Sequence, residues 1–159
     1  MARVASIVGT GVRPEPLGCI TVEAVPESVA LARRLFRELT GAHDLGFPVD
    51  DCVLLVSELV TNAVDHAGRT EGDGTRQIRV DWWRVRDGLR VDVHSGGPPD
   101  GVRLRRPRDD DPRGRGLLLV DLLTDAWAVE PSRHGGTMVS FVIEGVWRPA
   151  RPARPAQSA

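Results

Sequence analysis

Between Pro48 and Gly68 the chain reads PVDDCVLLVSELVTNAVDHAG, and its apolar positions recur at helical spacing. Wound at 3.6 residues per turn, Cys52, Val53, Val56, Leu59, Val60, Ala63, Val64 and Ala67 fall on one broad arc, so the segment predicts an amphipathic helix. Pro48 suits its first turn and Gly68 its left-handed cap. Glu58, Asn62 and Asp65 line up on the opposite side. Their spacing of i, i+4, i+7 stacks a carboxylate, a carboxamide and a second carboxylate within two turns. Another helix is predicted over 26 to 42, opened by Pro26 and Glu27 and striped by Val29, Ala32, Leu35, Phe36 and Leu39. A short apolar one follows over Leu117 to Thr124.

Elsewhere the period drops to two. Gly18 to Val25 sets Ile20, Val22 and Ala24 against Thr21 and Glu23, the pattern of an edge or outer strand. Gln77 to Arg86 and Leu89 to Ser95 alternate on either side of Asp87-Gly88, a strong two-residue hairpin signal. That turn predicts Arg86 opposite Leu89, Arg84 opposite Val91, Trp82 opposite Val93 and Val80 opposite Ser95. Opposed residues share a face, so Ile78, Val80, Trp82, Leu89, Val91, Val93 and Ser95 are expected to point together toward the helices. Ser95, at the strand exit, then looks into the helix layer. Trp127 to Glu130 and Thr137 to Ile143 read as a closing pair of strands around the turn Pro131 to Gly136.

The order strand, helix, helix, hairpin, loop, helix, hairpin predicts an α/β protein. Its architecture is a two-layer α/β sandwich with one mixed, mostly antiparallel sheet and helices on one face. Gly96 to Arg115 shows no period, and a stretch of about 20 such residues within a compact domain is usually functional or disordered. Residues 1 to 17 predict a disordered lead and 146 to 159 a disordered tail rich in Pro, Arg and Ala, with one domain over 18 to 145.

Composition changes this picture little. A chain of 159 residues is long enough for one domain with a real core. A formal net charge of −1 gives no whole-chain field toward nucleic acid or an anionic membrane, and neither is expected as a partner. All 21 basic residues are arginine, a bias that reaches into the tails and carries little functional weight. Cys19 and Cys52 lack a CxxC partner or a histidine at metal spacing, and both are expected to be reduced packing residues. His94, Trp82 and Trp127 read as packing residues too. No apolar run reaches the ~20 residues of a membrane span and no signal-peptide core is present, so a cytoplasmic location is expected.

Three segments are expected to converge on the helix-covered side of the sheet: the polar stripe at Glu58 and Asn62, the strand exit at Ser95 to Gly97, and the helix start at Gly114-Arg115-Gly116. Uncapped N–H groups and glycines at a helix start favour anions, phosphates among them. Each segment taken alone is an ordinary helix face, turn or loop. Their joint order is more specific. With SELVTNAVDHA as an N box, SGGP as a first glycine box and GRGLLLVDLLTDAW as a second, residues 18 to 143 resemble the GHKL superfamily of ATPases and kinases, with its Bergerat nucleotide-binding fold. The branch of closest resemblance is the anti-sigma-factor serine/threonine kinases.

The resemblance implies ATP and Mg²⁺ as ligands. It makes Glu58 the general base toward a protein serine and Asn62 the Mg²⁺ ligand, with His66 part of the N box. Ser95 and Gly97 fall in the first glycine box. Gly114 and Gly116 match glycines around the phosphates, with Arg113 and Arg115 as charge partners. The implied activity is phosphorylation of an anti-sigma-factor antagonist of the STAS type, in exchange with a sigma factor, by a chain that is often a homodimer. Two positions depart from the family. Ser95 stands where an aspartate normally receives the adenine amino group, a change expected to weaken ATP binding roughly 10- to 100-fold. Asp65 stands where many members carry a basic residue. These departures motivate the alternative of a non-catalytic Bergerat-fold interaction module with weak or lost nucleotide binding.

Overall fold

The structure, a computed structural model, describes residues 13–41, 43, 45–67, 76–102 and 116–147. Among these, five strands form one sheet: β1 (Glu15–Glu23), β2 (Gln77–Val85), β3 (Gly88–Ser95), β4 (Ala126–Pro131) and β5 (Thr137–Ile143). Their spatial order is β1-β2-β3-β5-β4, and every neighbouring pair is antiparallel. The expected mixed sheet is therefore wholly antiparallel. Helices α1 (Glu27–Thr40) and α2 (Val49–Ala67) connect β1 to β2, and α3 (Gly116–Leu123) leads into the far edge at β4. A single 3-10 turn, Pro99–Gly101, lies within the stretch expected to be irregular. The Gly68 cap falls outside the described residues, as do Arg103 to Arg115.

The core fills the space between sheet and helices. Ala32 and Phe36 of α1 are fully buried, as are Cys52, Leu55, Val56 and Val60 of α2. Leu55 lies outside the predicted arc, yet α2 packs against α1, α3 and the sheet, so its buried surface is broader than one stripe. From the sheet come Ile78, Val80, Trp82, Leu89, Val91, Val93, Phe141 and Ile143, each 2% exposed or less. Trp82 meets Phe36 with ring centroids 6.4 Å apart.

The hairpin register differs from expectation by two residues. Arg84 pairs with Leu89, Trp82 with Val91 and Val80 with Val93, and the two-residue loop is Arg86-Asp87. The cause is Gly88. A Cβ there would stand 2.8 Å from the Ile143 carbonyl oxygen, so glycine is needed inside the strand where β5 ends beside it. The loop moves back one residue, and Arg86 takes the left-handed conformation at φ 59°. A shift of two preserves side-chain parity, so all seven residues expected to face the helices do so.

The same corner holds the end of the described chain. Val146 and Trp147 lie beyond the expected domain edge at 145 but are buried, and Trp147 donates its N–H to Asp87 O at 2.9 Å and its Nε1–H to Gly88 O at 3.0 Å. At the other end β1 begins at Glu15, ahead of the expected Gly18. Cys52 is buried as expected, and burial, with nearby Asp51 adding to it, pushes its thiol up to about 12, which keeps it unreactive. Cys19 is exposed, contrary to expectation: the parity that turns Ile20 and Val22 inward turns Cys19 outward. No described helix is long and apolar enough to cross a membrane.

Candidate functional site

Helix α2 presents Glu58 and Asn62 one turn apart, both half-buried, on the flank that α3 approaches. Gly116, the first residue of α3, is buried directly against them. A Cβ on Gly116 would lie 2.5 Å from Glu58 Oε2, 3.2 Å from Glu58 Cβ and 3.3 Å from Asn62 Nδ2. Glycine is therefore required by close approach, and the positive end of α3 comes to rest beside a carboxylate and a carboxamide. Arg113, Gly114 and Arg115, which precede it, lie outside the described residues.

Burial raises the Glu58 carboxyl above its ordinary value of 4.5. A carboxyl raised on folding contributes stability that is fully present below the ordinary value and is lost as pH rises through the raised one. Replacing it with a neutral isostere removes that loss. Glu58→Gln is thus expected to melt at a higher temperature than the natural protein at pH 7, with the difference closing near about pH 4. Thermal denaturation at the two pH values checks this, and equal differences at both would contradict it.

The end of α2 is tied to the exit of β3. His66 Nδ1 lies 3.0 Å from the Gly96 carbonyl oxygen, and since a carbonyl only accepts, Nδ1 carries the proton. Ser95 is buried on the helix-facing side, where the strand parity places it. Gly97 takes φ 89°, a conformation that favours glycine. Asp65, the third member of the polar stripe, is exposed.

Sequence reasoning missed two residues that close this end of the sheet. Thr137 is fully buried opposite Ser95 and donates its Oγ1–H to Gly97 O at 2.7 Å. Gly136, at φ 79°, packs so tightly on the Ser95 carbonyl and Gly96 that no side chain fits. The available signal was Gly135-Gly136 immediately before a polar residue that opens an apolar strand.

The donor set suits a hard divalent cation with phosphates. Asn62 can supply a carboxamide oxygen, and the main chain at Gly116 lies close against it and Glu58 with no side chain between. The family model of the histidine kinase-like ATPase domain matches residues 22–143, from within β1 to the last residue of β5. The chain belongs to this family. Within it, the chain is similar to the serine-protein kinase RsbW of Listeria monocytogenes serovar 1/2a, at 30% identity over 118 residues that cover 67% of this chain and 74% of that one. The same-named kinase of serotype 4a is 28% identical over the same shares. These similarities agree with the GHKL resemblance and with its anti-sigma-factor kinase branch.

Proposed function

We propose that this histidine kinase-like ATPase domain binds Mg-ATP between α2 and the segment that leads into α3. We further propose that it phosphorylates a serine of a STAS-type anti-sigma-factor antagonist, exchanging that partner for a sigma factor. The observation that carries the reading is the contact of Gly116 with Glu58 and Asn62, which joins two sequence motifs in one place. Similarity to serine-protein kinases supports the choice of phosphoacceptor. A cytoplasmic location and a homodimer belong to the same proposal.

Bound Mg-ATP supplies the γ-phosphoryl group and its charge neutralisation. The residues of the chain position and move a proton. Glu58 accepts the proton of the serine hydroxyl as the new O–P bond forms and the bond to the bridging oxygen breaks, releasing ADP. Raised proton affinity is the direction that helps such a base. Asn62 offers its carboxamide oxygen to the metal. The bond from His66 to Gly96 steadies the strand exit, where Ser95 and Gly97 would receive the nucleotide. Arg113, Gly114, Arg115 and Gly116 would hold the phosphates.

The second reading, an interaction module without nucleotide chemistry, is motivated by Ser95 and Asp65. Ser95 replaces the aspartate of the family pattern and can offer only a neutral hydrogen bond. Incubating the chain with ATP and a STAS-type antagonist separates the two readings. Phosphate on an antagonist serine supports the kinase, and partner binding without transfer supports the module. On the kinase reading, Ser95→Asp is expected to tighten ATP binding about 10- to 100-fold by calorimetry. A weaker or unchanged affinity would remove Ser95 from the adenine site.

A further inference from the structure

The sheet face away from the helices holds a second cluster. Asp81 of β2 and His94 of β3 are 2% and 4% exposed, deeply buried for polar residues on a face that no described helix covers. His134, in the turn between β4 and β5, sets its ring edge-on to His94 at 4.9 Å between centroids. One ligand-type atom from each of the three residues lies within 4.8 Å of the other two. His94, expected to be a packing residue, is thus buried in a polar setting.

Protonation and geometry at His94 leave something unfilled. Its Nδ1 is 2.8 Å from Ser132 Oγ, which also accepts the His134 N–H at 3.0 Å. Its Nε2 is 3.2 Å from Asp81 Oδ2, yet it is buried without a hydrogen-bond partner, because the carboxylate lies off the direction in which an N–H would point. Two ligands of a tetrahedral ion at about 2.0 to 2.1 Å stand roughly 3.3 Å apart, close to this separation.

The partners around the cluster fit the second shell of such a site. Arg79 grips Asp81 through Nε at 2.9 Å from Oδ2 and Nη2 at 2.7 Å from Oδ1, orienting the carboxylate. Ser132 orients His94 in the same way. Asp92, the other buried acid of this face, is already satisfied by Trp83 Nε1 at 3.0 Å and Arg90 Nε at 2.7 Å. Besides Arg79, which shares Asp81 Oδ2, Arg133 competes for the cluster: its Nε lies 3.1 Å from His134 Nε2 and its Nη2 3.9 Å from Asp81 Oδ2. Its side chain is 60% exposed and can swing into solvent. Beside the cluster a cleft of ≈ 380 Å³, whose lining includes Thr21, Arg79, His94 and His134 and reaches Ser95 and Gly96, leaves room for a water or small anion as fourth ligand.

We propose that Asp81, His94 and His134 form a binding site for a divalent metal ion of the zinc class, with its fourth position open to this cleft. Nitrogen and carboxylate donors in a compact three-residue set suit zinc and its cobalt substitute. The ion would tie the turn between β4 and β5 to β2 and β3. That turn carries Gly136 and leads into Thr137, which pack against Ser95 to Gly97, so the staple would act on the far end of the helix-side site.

The test is titration of the chelator-treated full chain with Zn²⁺ alone by calorimetry, and with Co²⁺ alone by visible absorption. Saturable binding of one ion per chain is expected, with the intense visible bands of tetrahedral cobalt. His134→Ala, a change at an exposed turn, is expected to weaken binding at least about tenfold. Cys19→Ser, which removes the exposed thiol from the same sheet face, is expected to leave it unchanged. Absence of saturable binding overturns the proposal. So does affinity untouched by His134→Ala, or affinity abolished by Cys19→Ser.

Discussion

Replacing Glu58 with alanine is expected to lower the rate of phosphoryl transfer to a protein serine by about 10²- to 10⁴-fold, the usual contribution of a positioned general base. On the proposed mechanism nucleotide affinity should change far less, because there the carboxylate would work on the serine proton and not on the phosphates. Folding should survive as well: Glu58 is half-buried and its ionised form is disfavoured by burial, so its removal takes away a destabilising charge. Single-turnover transfer measured beside ATP calorimetry separates these effects. Equal loss of binding and transfer would instead make Glu58 part of the nucleotide pocket.

The second large effect is expected at Gly116. Alanine there places its methyl group 2.5 Å from Glu58 Oε2, with Glu58 Cβ and Asn62 Nδ2 at 3.2 and 3.3 Å. The flexible carboxylate gives way before the backbone does. Since the nearest atom is the far end of that side chain, stability is expected to stay close to that of the natural protein. With Glu58 as the proposed base, transfer is expected to fall about 10²-fold, the cost of displacing such a group by about an ångström. A melting curve and a transfer rate on the same preparation check both halves. Unchanged transfer would mean that the Glu58 position is not held by α3.

Much of the fold was legible because side-chain parity is robust. The predicted hairpin pairing was two residues off, yet Trp82, Val91 and Val93 still face the helices, since only an odd slip would have reversed them. The two-residue error came from reading Asp87-Gly88 as the turn, when Gly88 is a glycine for the sake of Ile143 in another strand. That constraint is tertiary and leaves no local trace. Cys19 was misplaced although its own strand pattern turned it outward.

The candidate site was legible to the degree that it is built from local motifs. Glu58 and Asn62 share a helix face by spacing alone, and Gly116 belonged to a glycine motif before its contact with them was visible. Thr137 was not legible, because a threonine opening a strand is ordinary until Gly97 is seen accepting its hydrogen bond. The grouping of Asp81, His94 and His134 was hidden for the same reason. Three separate elements bring those residues together, and only the sheet register makes Asp81 and His94 diagonal neighbours across β2 and β3.

The central claim is that Mg-ATP binds where α3 meets α2, and calorimetry on the full chain tests it most directly. With ATP and magnesium the account predicts saturable binding at or below about millimolar nucleotide. Affinity should fall at least about tenfold when magnesium is withheld or when Asn62 is replaced by alanine. No binding of ATP or ADP at millimolar nucleotide, or binding indifferent to both magnesium and Asn62→Ala, would contradict it.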